Sequence, residues 1–356
     1  MVPRLSLDVL VPTHNRASLL DRSVRSVLAA TPSPHLDVHV TVICNACTDG
    51  THDVVGRLQS EFPGRITRLI ERRQGKSKAL NAGIARTSGD LVGMIDDDEE
   101  VGAGWLQVAG EAFQDDGVEF VGGPYLPVWE SPPPAWLPAD YVAVIGAAND
   151  GGARRPYGHD FPGMLKGGNA IIRRATLRAA GPYAEYLGPG SHARLFSCED
   201  EDMYFRLLER GARGEYLPDL VVYHYIAETR LSREYYRKWC FWRGVSLSLM
   251  ERRRPLPVTY VAGVPRFMVG SAIRALARLT VGSPHRPPRQ SFEDQLRMWD
   301  LAGYVFGRHI YSLARFSPVK SRRRGGADAA AEADGSHAAR TAATAELAAC
   351  STESRQ

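Results

Sequence analysis

The sequence predicts an α/β fold, Rossmann-like with a mainly parallel central sheet, followed by a C-terminal helical extension and a disordered tail. From residue 5 to about 120, short apolar runs alternate with amphipathic stretches, the sequence form of repeated βα units. Each apolar run leads into a turn-rich loop. Past residue 255 that alternation gives way to two helical patterns, and past residue 320 to Arg, Ala, Ser, Thr and Glu with almost no large apolar side chain.

Taken in order, the strands are Leu5 to Val11, Asp37 to Cys44, Ile66 to Ile70, Leu91 to Ile95 and Val118 to Val121. Helices begin near Arg16, Thr51, Lys76 and Gly104. In open sheets of this kind ligands bind at the carboxyl ends of the strands, so the loops after Val11, Cys44, Ile70 and Ile95 should share one crevice. The stretch from Pro124 to Pro162, rich in Pro, Gly, Trp and Tyr, has no periodicity and is expected to bind an acceptor or act as a lid. Trp129, Trp136 and Tyr157 within it suit either stacking on a sugar face or packing.

Further on, Gly167 to Arg173 reads as a strand, Glu199 to Glu209 as a helix, Gly214 to Tyr225 as strands and Ser232 to Met250 as a helix. A first domain over residues 1–250 is expected to end there. The extension, 251–320, should hold helices over Pro265 to Val281 and Phe292 to Phe316, the second opened by a capping box of Ser291 and Asp294. Residues 321–356 form the expected disordered tail.

The net charge of +4 is unevenly spread: residues 251–325 carry 15 Lys/Arg against four Asp/Glu, leaving −7 on the remainder. Arg266, Arg274 and Arg278 share one helical face there, which fits a helix lying on the inner membrane surface or one packed on the domain. No nucleic-acid recognition motif accompanies the charge, so nucleic acid is not an expected partner. There is no run of some 20 apolar residues, and the first strand is followed at once by polar Thr13, His14, Asn15 and Arg16, unlike a signal peptide. Five scattered cysteines make no disulfide framework. A cytoplasmic protein, peripheral on the membrane face at most, is expected.

The main chemical signal is Asp96-Asp97-Asp98-Glu99-Glu100, placed where a buried strand ends. Carboxylates crowded there repel one another, and a hard cation such as Mn²⁺ or Mg²⁺, held by one or two of them together with substrate phosphates, relieves the repulsion. The Asp96-x-Asp98 pair suits that task. An EF-hand does not, because Val101 and Gln107 stand where Gly and Glu are needed. A second acidic run, Glu199-Asp200-Glu201-Asp202, opens a helix, where acids also favour the macrodipole. Gly75-Lys76-Ser77 lacks the earlier glycine of a Walker A loop, since Ile70 stands there. Cys44-x-x-Cys47 has no second Cys or His pair with which to build a zinc site.

With these motifs in order, residues 5–250 resemble the family 2 glycosyltransferases of GT-A fold. Val11-Pro12-Thr13-His14-Asn15-Arg16 is similar to the family's opening strand and turn beside the nucleobase. Cys44-Asn45-Ala46-Cys47-Thr48-Asp49-Gly50-Thr51 is similar to the segment whose Asp, here Asp49, holds the base, with cysteines in place of the usual polar residues. Lys76-Ser77-Lys78-Ala79-Leu80-Asn81-Ala82-Gly83 resembles a helix start in which Lys76 is a donor-site cation. Gly167-Gly168-Asn169 to Arg173 resembles the strand under the donor sugar.

The resemblance implies an inverting transfer of one sugar from a nucleoside diphosphate sugar, of UDP type, to a saccharide, lipid-linked or small-molecule acceptor. Donor binding then falls to Pro12, Thr13, Asn15, Arg16, Asp49, Lys76, Asn81, Asp96, Asp97, Gly168 and Asn169. The metal falls to Asp98, Asp96 and His224, the last also readable as a core histidine. Asp200 is the implied general base, with Glu199 the alternative. Arg233 to Cys240 departs from the Q-x-x-R-W motif of processive synthases at Tyr235 and Lys238. Two further classes stay open: a nucleotidylyltransferase, which lacks its Gly-rich loop here, and a non-catalytic nucleotide-sugar-binding partner of a membrane assembly.

Overall fold

The computed structural model describes residues 4–138, 141, 144–191, 196–281 and 287–311. Its first half is the expected βα alternation: β1 (Leu5–Thr13), α1 (Ala17–Ala29), β2 (Leu36–Asn45), α2 (Thr51–Glu61), β3 (Ile66–Glu71), α3 (Lys76–Arg86) and β4 (Leu91–Met94). β1 pairs in parallel with both β2 and β4, and β2 with β3. Strands flanked on both sides and covered on both faces are apolar nearly throughout. Leu7, Val9 and Val11 accordingly face the cluster built on α1 and α2, while Leu10 faces the cluster built on α3.

After a short β5 (Glu99–Val101) come α4 (Trp105–Ala112), β6 (Phe120–Gly122), β7 (Tyr125–Trp129), β8 (Arg155–Pro156), β9 (Ala170–Arg173), α5 (Arg174–Ala180), α6 (Glu199–Glu209), β10 (Gly214–Tyr216) and β11 (Val222–Ile226). Among the described residues the main sheet runs β3-β2-β1-β4-β9-β6-β10-β8, with β9 antiparallel to β4 and β6; a small sheet, β5-β11-β7, stands beside it. Gly167–Asn169 form a 3₁₀ turn, so β9 is shorter than the strand expected from Gly167. That turn sets Gly167 and Gly168 against the end of β4, where Met94 pairs with Ala170.

The aperiodic insert is structured at its ends. Its start is β7, and Arg155–Pro156 pair with β10 at the sheet edge. Its aromatics pack: Trp136 meets Tyr236 and Phe292 edge-on at 5.6 and 5.2 Å, Tyr157 stacks on Phe120 at 5.5 Å, and Trp129 lies in the cluster around Trp136.

The extension follows α7 (Arg233–Arg253), whose start is capped by the Ser232 hydroxyl accepting from the Tyr235 amide at 3.1 Å. A hairpin of β12 (Tyr260–Val261) and β13 (Val264–Pro265) leads into α8 (Arg266–Val281), and then α9 (Pro288–Val305) runs into a π-turn at Phe306–Ile310. The expected capping box is therefore corrected. α9 starts at Pro288, whose fixed φ suits a first helical position, so Ser291 lies inside the helix. Asp294 turns into the core at zero exposure and accepts from Arg278 and Arg297. Arg266, Arg274 and Arg278 all lie on α8 and are exposed, and Arg278 is in addition paired with Asp294. Residues 312–320 and the tail expected at 321–356 lie outside the described residues.

Candidate functional site

β1 and β4 are neighbours at the point where the strand order reverses, and the loops leaving their carboxyl ends open the crevice. The loop after β4 is a tight turn: the Glu99 amide donates to the Asp96 carbonyl at 3.2 Å, and the buried Glu99 carboxyl accepts from the Asp96 amide at 2.9 Å. β5 alternation then sends Glu99 inward and Glu100 outward to Arg22. Asp96, Asp97 and Asp98 are left on the crevice side.

Three cations meet those three acids. Lys76 Nζ lies 2.8 Å from Asp96 Oδ1, Arg16 Nη1 lies 2.8 Å from both Asp97 Oδ1 and Asp98 Oδ2, and Arg230 Nη2 lies 2.8 Å from Asp98 Oδ2. Lys76 is also 3.9 Å from Glu199 Oε1 and 3.9 Å from Asp200 Oδ2, so one ammonium joins the two acidic runs. It sits on the first residue of α3, where the helix dipole disfavours a cation, and only the carboxylates make that position tenable. Burial alone would lower the Lys76 ammonium, but Asp96, Asp200 and Glu199 hold it well above its ordinary value.

The carboxyls divide by environment. Burial pushes Asp97 up to about 6 against the pull of Arg16, and burial with the charges of Asp96 and Asp98 holds Glu99 well above the usual range. Burial would also raise Asp98, yet the contact with His224 and the charges of Arg16 and Arg230 outweigh it and keep Asp98 far below. On the second run, burial and the adjacent Asp200 push Glu199 up to about 8; burial raises Asp200 too, with Lys76 opposing. Two side chains of one turn thus differ in reach. Asp200 keeps 23% of its side-chain exposure, whereas Glu199 keeps 6% and is turned beneath Gly188 and Ser77. Their helix begins from Cys198 in a left-handed conformation (φ 72°), unusual for a residue with a side chain.

The glycine turn fits between the two runs. A Cβ on Gly167 would stand 2.0 Å from Asp200 Oδ1, and one on Gly168 would stand 2.4 Å from Glu99 Oε2. Here glycine is needed for close approach.

Of the other expected donor residues, Pro12 and Thr13 are buried at the end of β1. Asn15 Oδ1 accepts from the Thr48 amide at 2.7 Å, and Asp49 accepts from the amides of Thr51 (3.1 Å) and Ala17 (3.3 Å), so both organise the crevice rim. Asn81 and Asn169 are spent on the scaffold: Asn81 pairs with the Tyr183 backbone, and fully enclosed Asn169 accepts from Trp105 Nε1 at 2.9 Å and donates to the Leu220 carbonyl at 2.7 Å.

No group of three or more His, Cys, Asp or Glu converges in metal-binding geometry among the described residues. The expected trio is split: His224 Nε2 stands 3.5 Å from Asp98 Oδ2, while Asp96 turns to Lys76. Of that trio, the Asp98 carboxylate supplies the oxygen donor a hard cation favours, with substrate phosphates able to complete its shell.

Sequence reasoning missed Arg230, Tyr125 and Gly146. Tyr125 is buried, and burial with Glu99, Asp96 and Asp200 raises its phenol well above the ordinary value. Gly146 (φ 76°) lies against the His224 ring, where a Cβ would stand 2.7 Å from Nδ1. All three arrive from elements remote in sequence, and a lone Arg, Tyr or Gly carried no signal.

Residues 8–175 match the family model described as Glycosyl transferase family 2. The chain is 33% identical over 110 residues to an uncharacterized glycosyltransferase of Nostoc sp., covering 31% of this chain and only 33% of that relative. It is 25% identical over 262 residues to a glucosyl-dolichyl phosphate glucuronosyltransferase of Haloferax volcanii, covering 70% of this chain and 79% of the relative. A mannosyltransferase from Pyrobaculum calidifontis, solved in complex with GDP-Man and Mn²⁺, matches in fold with a TM-score of 0.57 at 18% identity, covering 86% of this chain and 88% of that one. No described helix is long and apolar enough to cross a membrane.

Gly167→Ala should displace the Asp200 carboxylate, lowering stability by roughly 1–3 kcal/mol for overpacking and turnover about tenfold or more, equal to about 1.4 kcal/mol or more of barrier. Steady-state kinetics beside a thermal melt check this; unchanged turnover would show that Asp200 does not depend on the glycine turn.

Proposed function

Because the chain belongs to glycosyltransferase family 2 and has its GT-A fold, we propose that it transfers one sugar from a nucleoside diphosphate sugar, of UDP type, to a hydroxyl of a saccharide or lipid-linked acceptor, with inversion. The observation that carries this reading is Lys76, which draws the Asp96 run and the Glu199–Asp200 run to one point. A donor diphosphate beside the first run and an acceptor hydroxyl beside the second then meet across a few ångströms.

In this reading Thr13 at the end of β1 and Asn15 and Asp49 at the rim hold the nucleobase, and Lys76 and Arg16 face the phosphates. Asp98 and His224 would hold Mn²⁺ or Mg²⁺, which, when bound, screens the diphosphate as it departs. Arg16, Lys76 and Arg230 face six carboxyl groups; with Glu99 and Glu199 held toward the neutral form, the carboxyls of Asp96, Asp97, Asp98 and Asp200 remain against three cations, so a diphosphate entering without an accompanying cation meets no excess of positive charge. Asp200, the more exposed acid of its pair, takes the proton of the acceptor hydroxyl as the oxygen attacks the anomeric carbon. Glu199, held protonated near neutrality, lies below it.

The lipid-linked acceptor class is supported by the Haloferax relative, which by name acts on a dolichyl phosphate, and by the outer surface of the extension. Residues 252–292 contain eight Arg and no Asp or Glu. On α8 Phe267, Ile273 and Leu276 are 37, 62 and 48% exposed, alongside exposed Arg266 and Arg274, and Arg308 lies against Gly263 at the neighbouring hairpin tip. A basic surface with protruding apolar side chains complements an anionic bilayer.

Two outcomes follow. Asp200→Asn should lower kcat by roughly 10² to 10⁴ with donor binding preserved, the range for losing a general base. Because the Asp200 carboxyl is raised in the folded protein, wild-type kcat/KM should fall as pH drops through a value above the ordinary Asp range. Near-normal turnover in both Asp200→Asn and Glu199→Gln would remove the acidic run from catalysis. For the surface, the Arg266→Glu/Arg274→Glu variant should bind phosphatidylglycerol vesicles about tenfold or more weakly than wild type, at about 1 kcal/mol per basic residue. Wild-type protein that does not sediment with those vesicles would exclude this surface.

A further inference from the structure

Arg230 is the third cation of the crevice, beside Arg16 after β1 and Lys76 at the start of α3. It ends the 3₁₀ turn Glu228–Arg230, between β11 and α7, and that turn is pinned by the Glu228 amide donating to Glu130 Oε2 at 2.7 Å. Its guanidinium makes two contacts at once: Nη2 donates to Asp98 Oδ2 at 2.8 Å, and Nη1 lies 3.2 Å from His224 Nε2. A guanidinium has no acceptor, so Nε2 must accept in this pair. Arg230 thus contacts both residues that would hold a divalent ion, and Asp98 Oδ2 also serves Arg16. The single lone pair of the ring nitrogen cannot serve both the guanidinium and a metal ion.

We propose that Arg230 is a resident cation that keeps Asp98 and His224 together in the donor-free site, and that a divalent ion gains these ligands only by displacing it. The inference rests on the metal reading above. Its consequence is coupling. The displaced guanidinium leaves one anion and needs another, and a nucleoside diphosphate arriving with the ion supplies it, through the paired oxygens that a guanidinium recognises well. Ion and donor should therefore bind together, each weak alone, and by linkage each should strengthen the other by the same factor. Arg230 is a positioning residue in this account. Only its side chain has to move, since the backbone turn is held by Glu130.

The test is Mn²⁺ binding, followed by electron paramagnetic resonance without any turnover, on wild type, Arg230→Gln, Arg230→Lys and Asp98→Asn, each with and without UDP or GDP. Wild type should bind Mn²⁺ weakly alone and about tenfold or more tightly with the diphosphate. Arg230→Gln should bind Mn²⁺ alone at least about tenfold more tightly than wild type and show little further gain from the nucleotide. Arg230→Lys, which keeps the charge but cannot bridge two atoms, should fall between. Asp98→Asn should lose the site in every condition. If Arg230→Gln gains nothing over wild type while Asp98→Asn still abolishes binding, the gate is overturned and the metal reading survives. If no protein binds Mn²⁺ with either nucleotide, both are overturned.

Discussion

Lys76 keeps only 14% of its side-chain exposure and stands at the end of a helix that disfavours positive charge, so its buried ammonium is stable there only because Asp96, Glu199 and Asp200 surround it. The dependence runs both ways. Without Lys76, carboxylates from two distant parts of the chain would face one another across the crevice with no cation between them. The raised Glu99 and Glu199, and the depressed Asp98, are the same constraint seen from the acids: burial favours neutral forms, and Asp98 stays low because His224, Arg16 and Arg230 together outweigh its burial.

The scaffold is arranged to make that meeting possible. Parallel β1 and β4 deliver Arg16 and the Asp96 turn from one side. Antiparallel β9 runs away from the crevice, so its leading glycines come to the mouth, and the absence of side chains at Gly167 and Gly168 lets Asp200 and Glu99 close in from opposite directions. The loop before α6 completes the fit. Lys76 donates its backbone amide to the Pro189 carbonyl at 3.0 Å, and Ser77 Oγ donates to the Leu187 carbonyl at 3.0 Å, which fastens α3 to the segment leading to Glu199.

Much of this was legible in the sequence. Continuous apolar runs ending in polar turns located β1 to β4 to within two residues, because a strand covered on both faces has little freedom in composition. The acidic runs and Lys76 were legible because a charge cluster at a strand end or helix start is chemically conspicuous. What was not legible depends on direction. Asn81 and Asn169 fit donor motifs, yet their amides face the Tyr183 backbone and Trp105, and linear spacing does not say which side of a turn a side chain takes. Arg278 shares a helical face with Arg274, but the inward Asp294 captures it. Arg230 meets Asp98 and His224, and Gly146 meets the His224 ring, across elements far apart in the chain from the acidic run. The Pro287–Pro288 pair outweighed the Ser291 cap signal because proline fixes φ while a cap merely favours it.

The most direct test is nucleoside diphosphate release from a panel of nucleotide sugars with Mn²⁺, comparing wild type with Lys76→Met and following the fold of each by circular dichroism. The account predicts release by wild type with at least one donor and a loss of roughly 10² or more in the folded Lys76→Met protein, the scale of removing one preorganised charge from an active site. Release at the wild-type rate from folded Lys76→Met would contradict it, as would no release from any donor.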